Sequence, residues 1–516
     1  MSIHGQPRTA LLTSASRMRR EFFRMCSNRR ASWQAPVTGG TSAANSVPGH
    51  QVKLPTYRDR LVTGILHFGP GAFHRAHQAD YLDRLLVDDP RWGIAAVSLR
   101  SQGTVDALSN QEGAYTLAIL DRETSFRVLA AHNRFFGPGD GAAIRQQLAD
   151  PAVRIVSSTV TEKGYCLAGD GTLDFDHPDV IHDLQQPDQP VSIVGWLALG
   201  LADRRSAGAA PFTPICCDNM AANGRKLGAA VVTYAERLDP ELARWISGEA
   251  RFPNTMVDSI TPATDDRLRQ LVREETGLED SIPVSREAYA EWVIEDVLPE
   301  GLPDFASVGV ALAADVSAWE KAKLRILNGS HSTLAYLGLL IGHETVADAM
   351  ADTALGGFVE RLVRDDIVPS LRPSPLDLHH YAQQTLDRFR NPAIKHRLAQ
   401  IAWDGSQKLP YRLLDTVKEA RAAGRSIERL AVPIAGWILF LERQARAGAE
   451  IVDPLRDRLA EIGRSADPVS EGLQLRQVFP ETLANDPEFC KAVAAAAAAI
   501  RRDGPKAALT SETSLA

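Results

Sequence analysis

The sequence predicts an α/β fold followed by an all-α region, and three observations support this. From residue 52 to residue 313, short β-like runs alternate with helical patterns. The first run leads into a glycine-containing turn and a helix start, and after residue 313 almost all apolar residues recur with the helical period. With 516 residues and 44% hydrophobic content, the chain is long enough for two or three domains.

The two ends of the chain differ in composition from the rest. Residues 1–50 contain seven arginines and a single acid, Glu21, followed by a run rich in Gly, Ser, Ala and Pro. We expect residues 1–50 to be a disordered basic extension; an organellar transit peptide and a start codon assigned too early are the alternatives. Residues 506–516 are expected to form a tail.

Charge and cysteine content narrow the class of partner. A formal net charge of −7 and a pI near 6.0 give no electrostatic reason to expect nucleic acid, and no apolar run approaches the roughly 18 residues of a membrane span. The five cysteines form neither a paired framework nor a metal-ligand spacing, which favours a reducing compartment such as the cytoplasm. We therefore expect a small-molecule partner.

A candidate dinucleotide site follows the first predicted strand, residues 65–68. Gly69 and Gly71 would let the backbone approach a pyrophosphate at the start of the next helix. His74 stands where the usual fingerprint has a third glycine, so an ordinary strand-to-helix turn is the alternative. His74 and His77 are three residues apart, and we expect them to pack at the helix start rather than to share a metal.

The second predicted strand, residues 93–99, should end near the ribose of the dinucleotide. It ends at Arg100, without the carboxylate that an NAD site normally offers to the ribose 2′-hydroxyl, and the next acid is Asp106. Arg100 could instead face a 2′-phosphate. These residues therefore leave the choice between NAD and NADP open.

Polar side chains follow two further predicted strands. Glu162 comes at the end of residues 153–161, and Asn219 follows residues 212–217. Open α/β folds bind ligands at the carboxyl edge of the sheet, so both are site candidates, although a turn-forming role is the alternative for Asn219. Asp258 lies in an irregular apolar segment, where it would orient a lysine, bind a hydroxyl, or simply form a turn or a helix cap.

Residues 315–331 carry the main candidate for catalysis. They are predicted to form one helix, capped by Ser317 together with Glu320. Because an α-helix turns about 100° per residue, Lys323, Asn328 and His331 fall within an arc of about 140° and can converge on one ligand. The alternative is a solvated basic helix with a core histidine.

The three side chains have complementary chemistry. Burial and the basic neighbours Lys321 and Arg325 would lower the pKa of Lys323, so that its amine could accept a proton near neutral pH. Asn328 is a neutral hydrogen-bond donor for an alkoxide, and His331 can hold a second hydroxyl.

These segments, with the helical remainder and its polar connection, together resemble the mannitol dehydrogenase family of polyol-specific long-chain dehydrogenases. The motifs that carry the resemblance, in family order, are residues 69–77, 161–165, 217–219, 252–262, 292–296, 323–331 and 404–408. The resemblance extends over residues 52–501. It implies an α/β, N-terminal Rossmann-type domain at residues 51–308, followed by an all-α C-terminal domain at residues 309–505. It also implies a nicotinamide cofactor and no metal.

The resemblance further implies a role for each candidate residue. Lys323 would be the general base in alcohol oxidation and the general acid in ketone reduction. Asn219 and Asn328 would hydrogen-bond the reacting oxygen, as an oxyanion hole does. The implied substrate-binding residues are His331, Asp258 and Lys408. The implied cofactor-binding residues are Gly69, Gly71, Phe73, His74, Arg100 and Glu162.

Several positions depart from the family pattern. Gln102 and Gly103 stand where NAD-specific mannitol dehydrogenases have acids, so we expect NAD without excluding NADP. Ser259 replaces an arginine, and Ala288 and Ala290 replace a proline and an arginine near the edge of the substrate pocket.

Residues 396–415 and 160–166 are more similar to fructuronate reductases than to mannitol 2-dehydrogenases. That similarity predicts D-mannonate and D-fructuronate as substrates, with Arg397 or Arg412 receiving the carboxylate; solvation at the surface is the alternative for either arginine. Mannitol or arabinitol oxidation is the nearest alternative function, and a non-catalytic nucleotide-binding sensor is a remote one. We expect a monomer.

Overall fold

A computed structural model of the protein describes residues 54–510, so the basic extension expected at residues 1–50 lies outside the described part. Within that part, strands form one five-stranded sheet and two three-stranded sheets. The strands are β1 (Thr63–Phe68), β2 (Gly93–Val97), β3 (Tyr115–Leu120), β4 (Ser125–Leu129), β5 (His132–Phe136), β6 (Ile155–Ser158), β7 (Thr213–Cys216), β8 (Thr255–Asp258), β9 (Val284–Glu287), β10 (Glu291–Glu295) and β11 (Ala311–Ala313).

The central sheet has the order β5-β2-β1-β6-β7, and each neighbouring pair in it is parallel. Successive residues of a strand point to opposite faces. Leu66 and Phe68 accordingly pack into a core with the helix Ile193–Ser206, whereas Ile65 packs on the other face against the helix Gln78–Leu85. A parallel sheet covered by helices on both faces is the Rossmann-type arrangement that the sequence predicts.

The remaining elements of the first domain complete these layers. The two smaller sheets have the orders β4-β3-β9 and β11-β10-β8, and the antiparallel pairing of β8 with β10 sets Asp258 opposite Glu291. The helices of this domain are Ala72–Ala76, Gln78–Leu85, Gln102–Asn110, Gly141–Ala149, Pro178–Gln185, Ile193–Ser206, Asn223–Leu238, Pro240–Glu249 and Asp266–Thr276.

From Ser317 onward the described chain is helical and has its own hydrophobic core, built around the long helix Glu428–Arg446. The other α-helices are Ser317–Ala322, Gly329–Ile341, Val346–Ala351, Thr353–Arg361, Val368–Ser370, Leu378–Phe389, Leu398–Ile401, Gly405–Leu409, Asp415–Ala422, Arg456–Arg464, Pro468–Leu473, Glu481–Ala484, Pro487–Asp503 and Pro505–Thr510. Three segments are π-helical: Lys323–Asn328, Leu362–Ile367 and Pro410–Leu414.

Asp352 separates two helices of this domain: its carboxylate accepts a hydrogen bond from Ala354 N at 3.0 Å and so starts the helix Thr353–Arg361. One expectation for the domain is corrected. The tail expected from residue 506 begins with the helix Pro505–Thr510, because Leu509 is buried in the helical core. Among residues 54–510, no helix combines the length and apolar character needed to cross a membrane. The cytoplasmic location and the monomeric state stay predictions.

Candidate active site

The loop after β1 lies tightly against the loop after β6. Gly69 has a φ of +88°, and a Cβ there would lie 2.2 Å from the backbone oxygen of Thr159, so only glycine fits. The buried His67 ring hydrogen-bonds Ser157 Oγ at 2.8 Å and Thr159 Oγ1 at 3.0 Å, which fixes both loops. Gly71 is exposed, and a Cβ there would meet only the Gly69 oxygen, at 3.9 Å. The backbone at Gly71 is therefore open to a ligand.

The aromatic residues after this loop pack on the protein itself. The His74 ring stacks on His67 with centroids 3.4 Å apart, and its Nε2 lies 3.1 Å from Nε2 of His132. Burial holds the pKa of His74 well below its usual value, so the ring is neutral. Phe73 stacks on His77 at 5.0 Å. Any contact between His74 and a cofactor would therefore use its backbone N–H.

The carboxyl ends of three strands meet at one edge of the central sheet. Phe68 of β1, Ser158 of β6 and Cys216 of β7 are paired in register. The loops that follow these strands therefore emerge side by side. Those loops carry the glycine turn, Glu162 and Asn219, as the sequence predicts.

Asp218 joins the loops after β6 and β7. Its carboxylate accepts hydrogen bonds from Val160 N at 2.8 Å, Thr161 N at 3.3 Å and the Tyr165 hydroxyl at 2.7 Å. Burial raises the pKa of Asp218 to about 6, although these hydrogen bonds act in the opposite direction. The side chain thus holds the position of its neighbour Asn219.

Lys323 lies at the centre of the candidate site. Its buried amine donates to Asn219 Oδ1 at 2.5 Å and to the backbone oxygen of Val257. Burial lowers the pKa of Lys323; Asp258 acts to raise it, and Arg388 lowers it further. The amine is therefore suited to exchange a proton with a bound alcohol or ketone.

The structure does not support the predicted effect of Lys321 and Arg325 on the pKa of Lys323. Arg325 points to the helical core and pairs with Glu419, with one contact of 2.6 Å, while Lys321 is exposed. The main charges acting on Lys323 are those of Asp258, Arg388, Glu291 and Arg412. Burial and these more distant residues, rather than chain neighbours, set its pKa.

The helix that carries Lys323 is not uniform. Lys323–Asn328 is a π-helical segment between two α-helical stretches, where the sequence predicts one continuous α-helix. The i→i+5 pattern of a π-helix widens the turn and brings residues five apart, here Lys323 and Asn328, nearer to one line along the helix. At Gly329, the residue that follows this segment, a Cβ would lie 2.8 Å from the backbone oxygen of Arg412, so the π-helical segment Pro410–Leu414 packs directly against the helix here.

The predicted cap of this helix is wrong. Ser317 N and Oγ both donate to the Asp315 carboxylate, at 2.9 and 2.8 Å. Glu320 instead accepts a hydrogen bond from Ala222 N at 2.9 Å. It therefore ties the helix to the start of the helix Asn223–Leu238, which belongs to the first domain.

Asp258 is part of a buried ion cluster that sequence reasoning missed. Arg388 donates to Asp258 at 2.8 and 3.1 Å and to Glu287 at 2.8 and 2.7 Å, and all three residues are buried. Arg388 also lies 4.1 Å from the centre of the Tyr289 ring. The only sequence signal is a cation on a largely apolar helix face, directly before Phe389.

His331 faces the same region and is neutral. The residue is buried, and its Nε2 has no hydrogen-bond partner among residues 54–510. Its ring packs on Phe389 at 4.5 Å and on His396 at 5.1 Å. Burial, followed by the charges of His396 and Arg412, holds its pKa well below the usual value. A neutral imidazole with an unpaired nitrogen is suited to a sugar hydroxyl.

Two cations complete the candidate site. Lys408 donates to the backbone oxygens of Trp403 and Ile401, and burial lowers its pKa to about 8 with a further contribution from Arg412. Arg412 donates to Ser332 Oγ at 3.2 Å. Neither cation has a carboxylate partner within ion-pair distance among residues 54–510. Their charges are therefore available to an anion.

The structure separates the remaining candidates. Arg397 is exposed at the start of the helix Leu398–Ile401, whereas Arg412 is half-buried and acts on Lys323 and His331. Arg100, which the sequence offers as one possible partner of a 2′-phosphate, forms an ion pair with Asp179.

Comparisons with known proteins agree with this architecture. The mannitol dehydrogenase Rossmann domain model matches residues 63–306, and the mannitol dehydrogenase C-terminal domain model matches residues 315–501. The D-mannonate oxidoreductase of Escherichia coli K12 is 40% identical over 451 residues, 85% of this chain and 93% of that protein. The uncharacterized oxidoreductase YeiQ of the same strain is 40% identical over 465 residues, 88% of this chain and 95% of that protein.

A solved structure extends the similarity to three dimensions. Mannitol 2-dehydrogenase of Pseudomonas fluorescens, in a ternary complex with NAD and D-mannitol, matches with a TM-score of 0.79 and 35% identity, over 90% of this chain and 96% of that chain. The similarities in sequence and in structure thus cover both domains. The chain therefore belongs to the mannitol dehydrogenase family and is an oxidoreductase of that family.

Proposed function

We propose that this chain is an NAD-dependent reductase of D-fructuronate that forms D-mannonate and also catalyses the reverse oxidation. The observation that carries the proposal is the pair of half-buried cations, Lys408 and Arg412, without a carboxylate partner among the described residues. A buried charge without a counter-ion is costly, so an anionic group of the substrate would stabilise this site. Mannonate and fructuronate carry that group, and mannitol and fructose do not.

The cofactor part of the proposal rests on the loop after β1. Gly69 allows the close packing of this loop on Thr159, and the exposed Gly71 leaves room for a pyrophosphate beside the first N–H groups of the next helix. The relative of known structure was solved with NAD. When bound, NAD takes the hydride from the alcohol carbon, and NADH returns it to the ketone.

The proton would move through Lys323. In oxidation its neutral amine takes the proton of the reacting hydroxyl, and in reduction its ammonium group donates a proton to the ketone oxygen. Asn219 Oδ1 accepts a hydrogen bond from this amine, which leaves the amide N–H groups of Asn219 for the reacting oxygen. The half-buried Asn328 has no side-chain partner among residues 54–510 and supplies a second donor. The two amides would stabilise the developing alkoxide.

The remaining residues would orient the sugar chain. His331 offers an unpaired ring nitrogen to one hydroxyl. Asp258, held ionised by Arg388, can accept a hydrogen bond from another. Arg412, with Lys408 beside it, would receive the carboxylate at the far end of the substrate. Arg397, the other arginine that the sequence suggests, is exposed and is not part of the proposal.

The test is a comparison of kcat/KM for fructuronate and fructose, each with NADH and with NADPH. We expect fructuronate to be favoured at least tenfold, because one charge-assisted hydrogen bond contributes about 1.5–3 kcal/mol. Arg412→Gln should bring the ratio of kcat/KM for fructuronate to kcat/KM for fructose close to one. Arg397→Gln, in the same part of the chain, should leave kcat/KM unchanged for both substrates. A preference for fructose would overturn the proposal and favour mannitol 2-dehydrogenase activity.

A further inference from the structure

The end of β2 carries an ion pair in place of the lone acid of an ordinary NAD site. Arg100 follows β2 and pairs with Asp179, which lies in the first turn of the helix Pro178–Gln185. The two partners differ in solvent exposure: the Arg100 side chain is 75% exposed, whereas that of Asp179 is 20% exposed. Asp179 is also fixed through its backbone, because its N–H donates to His177 Nδ1 at 3.2 Å. The carboxylate is thus the less exposed and more constrained member of the pair.

Asp179 lies among a cysteine, a histidine and a second carboxylate, that of Asp183. The ligand atoms of Cys166, His177 and Asp179 lie within 4.8 Å of one another. Burial raises the pKa of the Cys166 thiol to about 12, with the carboxylates of Asp179 and Asp183 acting in the same direction and Arg100 acting against them. A metal ion bound by Cys166, His177 and Asp179 would compete with Arg100 for the Asp179 carboxylate. We therefore do not interpret these three side chains as a metal site.

We propose that Asp179 is a cofactor-specificity residue, which supplies from a helix outside β2 the carboxylate that selects NAD over NADP. A ribose 2′-hydroxyl can donate a hydrogen bond to Asp179 without separating any charges. A 2′-phosphate would have to draw Arg100 away and would then face the fixed carboxylate of Asp179 at close range. An exposed ion pair is itself weak, so the discrimination comes from the fixed carboxylate rather than from the strength of the pair.

This inference rests on the proposed function only in requiring that a nicotinamide cofactor binds. It also accounts for the sequence at Gln102 and Gly103, where the acids of NAD-specific family members are missing. Asp179 takes over their electrostatic role from a position 79 residues from Arg100 in the chain.

The test is titration of the full-length protein with NADH and with NADPH, followed by nicotinamide fluorescence and without substrate. Asp179→Asn should tighten NADPH binding about tenfold relative to NADH, because it frees Arg100 and removes the opposing charge. Asp176→Asn is the matched control, since Asp176 is an exposed aspartate of the same loop and has no ion pair with Arg100. It should leave the ratio of the two dissociation constants unchanged.

Two further variants exclude a general disturbance of the loop. Asp179→Glu should keep the preference for NADH, and Arg100→Gln introduced into Asp179→Asn should abolish the gain in NADPH binding. An unchanged ratio in a folded Asp179→Asn variant, or a wild-type protein that prefers NADPH, would overturn the inference. If the wild-type protein binds neither nucleotide, the proposed function fails; if it binds NADH and the variants do not alter the ratio, only the role of Asp179 fails.

Discussion

Arg388 of the helical domain holds Asp258 of the Rossmann-type domain through two hydrogen bonds of 2.8 and 3.1 Å, with both side chains buried. Burial alone would raise the pKa of Asp258, but Arg388 and Lys323 outweigh it and keep the pKa below its usual value. Asp258 is therefore ionised near neutral pH and opposes the loss of charge on Lys323. A residue of one domain thus helps to set the protonation of the proposed acid/base held between both.

Removal of the Arg388 guanidinium should destabilise the protein. In Arg388→Leu the carboxylates of Asp258 and Glu287 remain buried without their cation, and we expect the free energy of unfolding to fall by about 3–5 kcal/mol. Urea unfolding measures this value. Arg390→Ala is the control: its partners Asp387 and Glu360 are exposed, so the loss should be about 1 kcal/mol or less. Equal losses of unfolding free energy in the two variants would show that the buried cluster contributes no more to stability than the exposed ion pairs of Arg390.

Replacement of Lys323 tests the proposed proton transfer. Lys323→Ala should lower kcat by about 10² to 10⁴, the usual contribution of a positioned general acid or base, as measured from nicotinamide absorbance. In the wild-type protein the rate of alcohol oxidation should rise with pH through the lowered pKa of Lys323, since only the neutral amine accepts a proton. Lys321→Ala, an exposed neighbour, should retain full activity. Unaltered turnover in Lys323→Ala would contradict the proposed role of Lys323 in proton transfer.

The pKa of Lys408, lowered to about 8, predicts a pH effect on substrate binding. Below pH 8 the ammonium group attracts a substrate carboxylate, and above it the neutral amine does not. KM for fructuronate should therefore stay constant at lower pH and rise as the pH passes through about 8. Initial rates across this range, with fructose as the uncharged comparison, measure the effect. A parallel rise of KM for fructose would mean that the charge on Lys408 does not act on the substrate carboxylate.

The glycine loop can be tested with a pair of alanine variants. Gly69→Ala places a Cβ 2.2 Å from the Thr159 oxygen at a φ of +88°, and should lower the free energy of unfolding by roughly 1–3 kcal/mol or more and weaken NADH binding. Gly103→Ala meets no atom within 4 Å in a helix, so it should be neutral or slightly stabilising. Thermal unfolding and nucleotide titration distinguish the two. Normal NADH binding in Gly69→Ala would argue against a cofactor role for the loop.

Local spacing in the sequence predicted the placement of two groups of residues. Lys323, Asn328 and His331 lie on one helical stretch, and the glycine loop directly follows one buried strand. Their functional roles stay predictions. Sequence reasoning missed Arg388 and Asp179, because their partners lie 130 and 79 residues away in the chain and only the tertiary fold brings them together. The ion pair of Arg325 with Glu419, which removes it from the surroundings of Lys323, was hidden for the same reason.

The π-helical turn at Lys323 could also not be predicted from the local sequence. Intrinsic propensities do not distinguish a π-helical turn from an α-helical one, and the contact of Gly329 with the Arg412 backbone belongs to tertiary packing. The register of the proposed catalytic side chains is therefore known only from the fold.

The π-helical segment Lys323–Asn328 makes this site sensitive to chain length as well as to side-chain chemistry. Deletion of one residue within it could restore an unbroken α-helix, with every backbone hydrogen bond still made. Lys323 and Asn328 would then be four residues apart and separated by about 40° around an α-helix, so both would keep a common face. Without such a deletion, an unbroken α-helix would separate the same two side chains by about 140°. The wide turn thus carries one extra residue while it keeps the proposed proton donor and its amide neighbour on one side of the helix.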